Sequence, residues 1–188
     1  MPNPMSQVLS QQSKVDACLY DFVTLPASSL AGTNQTYFTH TIAGSGQQVT
    51  NLSQPNYLPS NWVDFRVNRI GFKLFKVIAA DGANTFWTAF KDATYAIYLG
   101  QTQLKYGHLS ELLGVTGDYY FVSGTTSSYV AADLEHMSGP FKSLQFPISI
   151  PASQYFSVVI SFATDSTAWQ SAVTAFYLKG ILTRNIYG

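Results

Sequence analysis

His108 and Glu111 stand three residues apart in His108-Leu109-Ser110-Glu111-Leu112-Leu113. On a helix that spacing puts both side chains on one face, half of a divalent-metal site. One pair cannot close a site, no other His or Cys lies at ligand spacing, and a polar helix face accounts for the same residues. Asp133, Glu135 and His136 form a second polar cluster. It could hold a divalent cation at a subunit contact, or be an ordinary solvated loop. Cys18 has no evident base beside it. Serines abound without a Gly-x-Ser-x-Gly elbow, and neither a phosphate-cradling Gly-Lys-Ser/Thr loop nor a dinucleotide fingerprint occurs. No catalytic residue, metal site or cofactor is therefore expected, and neither an enzyme nor a small-molecule substrate.

Four cations fall within eleven residues: Arg66, Arg69, Lys73 and Lys76. Such a patch could meet nucleic-acid phosphates or a neighbouring subunit. It could equally be the polar face of a long strand, paired with Asp64 or Asp92. Aromatic residues make up 15% of the chain. Many lie on the parity that a strand turns inward. Trp87, Tyr119, Tyr120, Tyr129, Trp169 and Tyr187 fall in or near loops or ends, where they could anchor an interface or stack on sugars.

The chain that must position these groups has 188 residues, enough for one all-β domain. Lys+Arg and Asp+Glu number 10 each, a formal net charge of +0. No global field draws in nucleic acid or an anionic membrane. Charged residues are only 11% of the chain, against about a quarter in ordinary globular domains. A surface poor in charge dehydrates easily and suits burial against neighbours. One cysteine allows no internal disulfide. The opening MPNPMSQVLSQQSKVDACLYDF has no basic segment followed by an apolar one, so a signal peptide or anchor is not expected. Asn34-Gln35-Thr36 and Asn51-Leu52-Ser53 match the glycosylation pattern, as chance allows in a chain rich in Ser, Thr and Asn.

Residues 1–33 are polar with scattered apolar residues and read as an N-terminal arm, with one helical turn near Val15–Tyr20. Polar termini stay ordered only when something holds them; a partner chain is the simplest holder, and packing on the chain's own domain is the alternative. Residues 34–188 read as one β domain. Tyr37, Phe38 and Ile42 open it, closed by Gly44-Ser45-Gly46. From Trp62 to Ile78, Val63, Phe65 and Val67 alternate on one parity, then Ile70, Phe72 and Leu74 on the other. The switch predicts a β-bulge or a bend near Asn68–Gly71; a bulge would put Arg66, Arg69 and Lys73 on one sheet face. Asp81-Gly82 and Asn84 mark a turn. Tyr95, Ile97 and Leu99 alternate next, and His108–Leu113, stopped by Gly114, reads as the one short helix. Tyr119–Ser123, Leu144–Ile150 through Pro147, Phe156–Phe162 and Val173–Ile186 complete about eight strands. Long unequal loops favour a jelly-roll sandwich or barrel, with an immunoglobulin-like sandwich second.

The order of elements resembles that of jelly-roll capsid (coat) proteins of tailless icosahedral bacteriophages and related viruses. The residues that carry this are Phe65-Arg66-Val67-Asn68-Arg69-Ile70-Gly71-Phe72, the unit from Tyr95-Ala96-Ile97-Tyr98-Leu99-Gly100 to Leu112-Leu113-Gly114, and Phe146-Pro147-Ile148-Ser149-Ile150-Pro151 leading into Tyr155-Phe156-Ser157-Val158-Val159-Ile160. The likeness runs from about residue 35 to 187 and is one of pattern. It implies a virion subunit, made in the host cytoplasm, whose partners are copies of itself and other capsid proteins, with contact to an internal membrane or genome. Lys14 is the arm's one basic residue, unlike the basic arms of many RNA-virus coats, which points toward a DNA phage or a membrane-containing virion. The alternative is a carbohydrate- or receptor-binding β-sandwich module.

Overall fold

Val15, Ala17 and Leu19 alternate with Lys14, Asp16 and Cys18, a period-two pattern that places alternate side chains on one face of a strand. In a computed structural model of the chain, β1 (Gln12–Leu25) accordingly runs antiparallel to β9 (Trp169–Asn185) over its whole length. This corrects the expected helical turn near Val15–Tyr20, and residues 12–25 of the expected arm are held by their own domain, the alternative to a partner chain. Val15 and Ala17 pack on the core, and Leu19, Val23 and Leu25 are buried in it, so apolar residues that look scattered lie on one face. The structure describes residues 12–25, 30–46, 49–79, 90, 92–112, 129–130, 141–163 and 169–185. The side chains of 74–79, 129–130 and 169–172 are not among those described. The expected turn at Asp81–Asn84, the strand at Tyr119–Ser123, and Gly114 lie outside these residues.

The architecture is an all-β sandwich of two antiparallel sheets. The first orders β1, β9, β3 (Trp62–Ala79) and β6 (Tyr129–Val130), with β7 (Lys142–Pro151) also on β3. The second orders β2 (Asn34–Tyr37), β8 (Phe156–Ser161), β4 (Thr94–Leu99) and β5 (Thr102–His108). The bulge anticipated in β3 is present as a register shift between Val67 and Arg69. Phe65 and Val67 before it, and Ile70 and Phe72 after it, all enter the core. On β7, Leu144 to Pro147 stand opposite the single residue Asn68. An edge-strand bulge is where a proline without an N–H is tolerated. The same bulge turns Phe146 out to 78% exposure, against the simple Leu144-to-Ile150 alternation expected.

Two helical expectations change. Residues Leu109–Glu111 form one 3-10 turn instead of the helix His108–Leu113, because β5, absent from the sequence reading, takes up the chain through His108. The short α-helix is instead α1, Ile42–Ser45, where Thr41 Oγ1 accepts the Gly44 N–H at 3.1 Å. Phe38 breaks the run before it with a positive φ of 70°.

Aromatic rings fill the space between the sheets. Tyr37, Phe72, Phe90, Tyr95, Phe156 and Phe176 are fully or almost fully buried, in tilted and edge-on contacts such as Phe90–Phe162 at 5.3 Å. Tyr37 spans the gap: its hydroxyl donates to Thr174 Oγ1 at 2.6 Å, which donates in turn to the Val23 carbonyl at 3.0 Å. Burial raises the Tyr37 phenol well above its ordinary value. The Tyr95 hydroxyl is buried without a partner among the described residues, and burial, then Glu111, pushes its pKa up to about 12.

Candidate interaction surfaces

With the core parity fixed, every other residue of each sheet points outward. On the first sheet the outward rows, across β1, β9 and β3, are Lys14–Thr183–Asp64, Asp16–Ile181–Arg66, Cys18–Lys179–Arg69, Tyr20–Tyr177–Gly71 and Phe22–Ala175–Lys73. The bulge at Asn68 is what puts Arg66 on the same side as Arg69 and Lys73: without the extra residue, a strict two-residue period would send them to opposite faces. Sequence reasoning placed these three together and the structure brings them together. Lys76 lies opposite Val173 after a further register shift, and its side chain is outside those described.

Lys14 and Lys179 join this face from β1 and β9, which sequence proximity could not reveal. The strand alternation around each was the available signal, once β1 was read as a strand. Five of the ten cations therefore face one way with two carboxylates, Asp16 and Asp64. Asp64 Oδ1 accepts the Ser149 hydroxyl at 2.6 Å. Arg66 and Arg69 are exposed and make no ion pair among the described residues, so the expected pairing with Asp64 is not formed.

Aromatic rings occupy the middle of the face. Tyr177 lies 6.4 Å from Tyr20, 6.3 Å from Phe22 and 5.9 Å from Phe141. Phe141 lies over Gly71, where an added Cβ would come within 2.7 Å of the ring. Lys179 Nζ sits 3.6 Å from the centre of Phe141, and Lys73 Nζ 5.8 Å from that of Tyr177, both cation–π contacts. Burial, then Cys18 and Tyr20, pushes the Tyr177 phenol up to about 12. Burial also raises the Cys18 thiol, with Lys179 opposing, so it is protonated at neutral pH and a poor nucleophile. A notch of about 390 Å³ opens at the bulge, lined by Asn68, Arg69, Cys18 and Lys179 among others.

The outward rows of the second sheet, across β2, β8, β4 and β5, are Asn34–Ser161–Thr94–His108 and Thr36–Val159–Ala96–Tyr106, then Ser157–Tyr98–Gln103 on the last three strands. None of these is Asp, Glu, Lys or Arg. Tyr106 is 53% exposed. Beyond it β5 has no strand on its far side among the described residues, leaving backbone N–H and C=O groups open to pairing. The outer edge of β1 is treated differently. Asn51 Oδ1 accepts the Tyr20 N–H at 3.1 Å, its Nδ2 donates to the Cys18 carbonyl at 2.6 Å, and the Phe22 N–H reaches the Val49 carbonyl at 2.8 Å.

The remaining expected sites are dispersed. His108 ends β5, and Glu111 pairs instead with Lys142 of β7, an ion pair that lowers the Glu111 pKa. No three His, Cys, Asp or Glu side chains gather into a metal-binding group among the described residues. Asp133, Glu135, His136, Trp87, Tyr119, Tyr120 and Tyr187 lie outside them. Tyr129 and Trp169 both lie opposite Ala79 on β3, with side chains not described. One dyad escaped sequence reasoning: buried Asp21 accepts the Phe38 N–H at 2.5 Å through Oδ2 and lies 2.9 Å from His40 Nδ1 through Oδ1. Nothing in the spacing of residues 21 and 40 signals it. Among the described residues no helix is long and apolar enough to cross a membrane.

No protein-family model matches the chain, and no curated protein matches it either.

Proposed function

We propose that this chain is a capsid subunit, a rigid jelly-roll block that assembles with copies of itself and other capsid proteins into an icosahedral virion shell. The observation that carries this reading is the outer face of the second sheet, which has no formal charge and ends on the open edge of β5. Polar but uncharged rows cost less to dehydrate than charged ones, and an unpaired edge offers main-chain hydrogen bonds to a neighbour. Phe146, Tyr106, Leu104 and Tyr155, exposed by 40% or more, add anchors of the kind interfaces bury.

Strand order supports the jelly roll. Leaving out the two-residue β6, the eight remaining strands pair first with last (β1–β9), second with seventh (β2–β8), third with sixth (β3–β7) and fourth with fifth (β4–β5). Those are the pairings of one long hairpin. Its wrapping into two sheets brings β9 against β3 and β8 against β4, a double-sheet route that removes most open edges. Fold alone does not dictate function, so assembly itself is the test. Purified protein, followed by light scattering and electron microscopy as concentration and ionic strength rise, forms rings, sheets or shells. A strict monomer under all these conditions overturns the proposal.

A cleft of about 640 Å³ favours the second reading, a carbohydrate-binding module. Its lining includes Thr24, Gln35, Thr39, His40 and Ser45, hydroxyl, amide and imidazole groups that hydrogen-bond polyols. A glycan array without hits removes it.

A further inference from the structure

We propose that the outer face of the first sheet, around Arg66, Arg69 and Lys179, is a binding platform for single-stranded nucleic acid. The inference does not rest on the shell reading, since a subunit that never assembled would still present this face.

Charge segregation is the first argument. A chain of formal net charge +0 gathers Lys14, Arg66, Arg69, Lys73 and Lys179 on one face, against Asp16 and Asp64 alone among the described residues. A local field of one sign is what a polyanion detects, whatever the total charge. Outward residues on a strand recur about every 6.8 Å and strands lie about 4.8 Å apart. The five rows from Lys14 to Lys73 thus form a cationic stripe about 27 Å long and about 10 Å wide, the scale of a few nucleotides. Maintaining unpaired guanidinium groups side by side costs repulsion that a bound phosphodiester backbone relieves, and its capture releases counterions.

The second argument selects the kind of polyanion. The rings of Tyr20 and Tyr177 lie between the Arg69–Lys179 row and Lys73, beside Phe141, whose ring Lys179 already covers. Cations flanking an aromatic centre suit a single strand, whose unpaired bases stack on ring faces while its phosphates meet the cations. A duplex keeps its bases paired and offers the rings nothing. An anionic membrane would use the cations but also favours exposed apolar side chains for insertion. Of the strongly exposed large apolar residues, only Ile181, at 38%, lies in these rows, with Phe146 on β7 beside them.

The test uses the full chain, kept dilute, with a fluorescent oligodeoxythymidylate of about 16 nucleotides, the upper end of one platform's reach. Binding is read by anisotropy across a salt series. Four neutralised phosphates predict a slope of log affinity against log salt near about −3. The variant Arg66→Ala/Arg69→Ala/Lys179→Ala is expected to flatten that slope by about 2 and to weaken binding at least about tenfold. Removing the same number of charges elsewhere, in Lys105→Ala/Lys142→Ala/Arg184→Ala, is expected to leave the slope within about 0.5. If the first triple variant fails to fold by circular dichroism, Arg66→Ala and Arg69→Ala singly serve, each lowering the slope by about 0.7. Four results overturn the proposal: no binding, equal loss in both triple variants, tighter binding of duplex than of single strand, or capture of phosphatidylserine vesicles without capture of the oligonucleotide.

Discussion

The two outward surfaces of this sandwich handle charge in opposite ways. Three strands of the first sheet place five Lys and Arg residues around a cluster of aromatic rings. Four strands of the second place Asn, Ser, Thr, Gln, Ala, Val, Tyr and His in the same kind of rows without one Asp, Glu, Lys or Arg. The edges differ in the same sense: β1 is sealed by Asn51 and Val49, while among the described residues no strand covers β5. A formal net charge of +0 thus conceals two faces of opposite character, one cationic around aromatic rings and the other without a formal charge.

The sharpest way to break this contrast is to put a charge on the uncharged face. Val159→Lys, in the middle strand pairing of the second sheet, would bury an unpaired ammonium in any assembly contact, which costs several kcal/mol. Association should weaken about a hundredfold or more, measured by analytical ultracentrifugation, while monomer stability moves by less than about 0.5 kcal/mol and oligonucleotide binding is unchanged. Full assembly of this variant would remove the contrast.

Next in size is Gly180→Ala, which strikes the other face. A Cβ there would lie 2.0 Å from the Arg66 carbonyl oxygen, so β3 and β9 must part where Arg66, Arg69 and Lys179 converge. The cost is about 3 kcal/mol, seen calorimetrically as a Tm lower by roughly 9 °C. Oligonucleotide affinity should fall with it.

The hydroxyl relay from Tyr37 to Val23 joins the two sheets, so its loss should affect both faces alike. Thr174→Val leaves the buried Tyr37 hydroxyl unpaired and is expected to cost about 2 kcal/mol in urea unfolding. Tyr37→Phe removes the hydroxyl and keeps the Thr174–Val23 bond, at about 1 kcal/mol. Reversal of that order would mean the relay does not hold the sheets together.

The smallest expected effect is one of pH. Burial raises the Asp21 carboxyl above its ordinary value, outweighing the opposing pull of His40, so the folded chain holds this proton more tightly than the unfolded one. That contribution is complete below the ordinary aspartate value and is lost as pH rises through the raised one. Urea midpoints over this acidic range should show the decline in the natural chain and a flatter course in Asp21→Asn.

Where side-chain parity alone decides, the sequence was legible. The switch from Phe65 and Val67 to Ile70 and Phe72 required an extra residue or a bend in a strand buried on one face, and the extra residue, which the structure contains, puts Arg66, Arg69 and Lys73 together. Parity was equally present in Val15, Ala17 and Leu19, but polar neighbours diluted it, and the strand became visible only with β9 alongside. Thr102–His108 escaped because an edge strand buries little: six of its seven residues are exposed or half-buried, so no apolar period marks it. The Asp21–His40 dyad was illegible for a different reason, since contact across nineteen residues follows from a turn at Phe38 that leaves no pattern.

By itself the sequence determined the β class, the position of the bulge and the low charge, because each depends on local composition or a two-residue period. Only the tertiary structure decided which strands became neighbours. That choice brought Lys14, Lys179 and Tyr20 beside Arg66 and Arg69 and kept charge off the second sheet's outer face, because pairing between strands distant in the chain is settled by how the whole core closes.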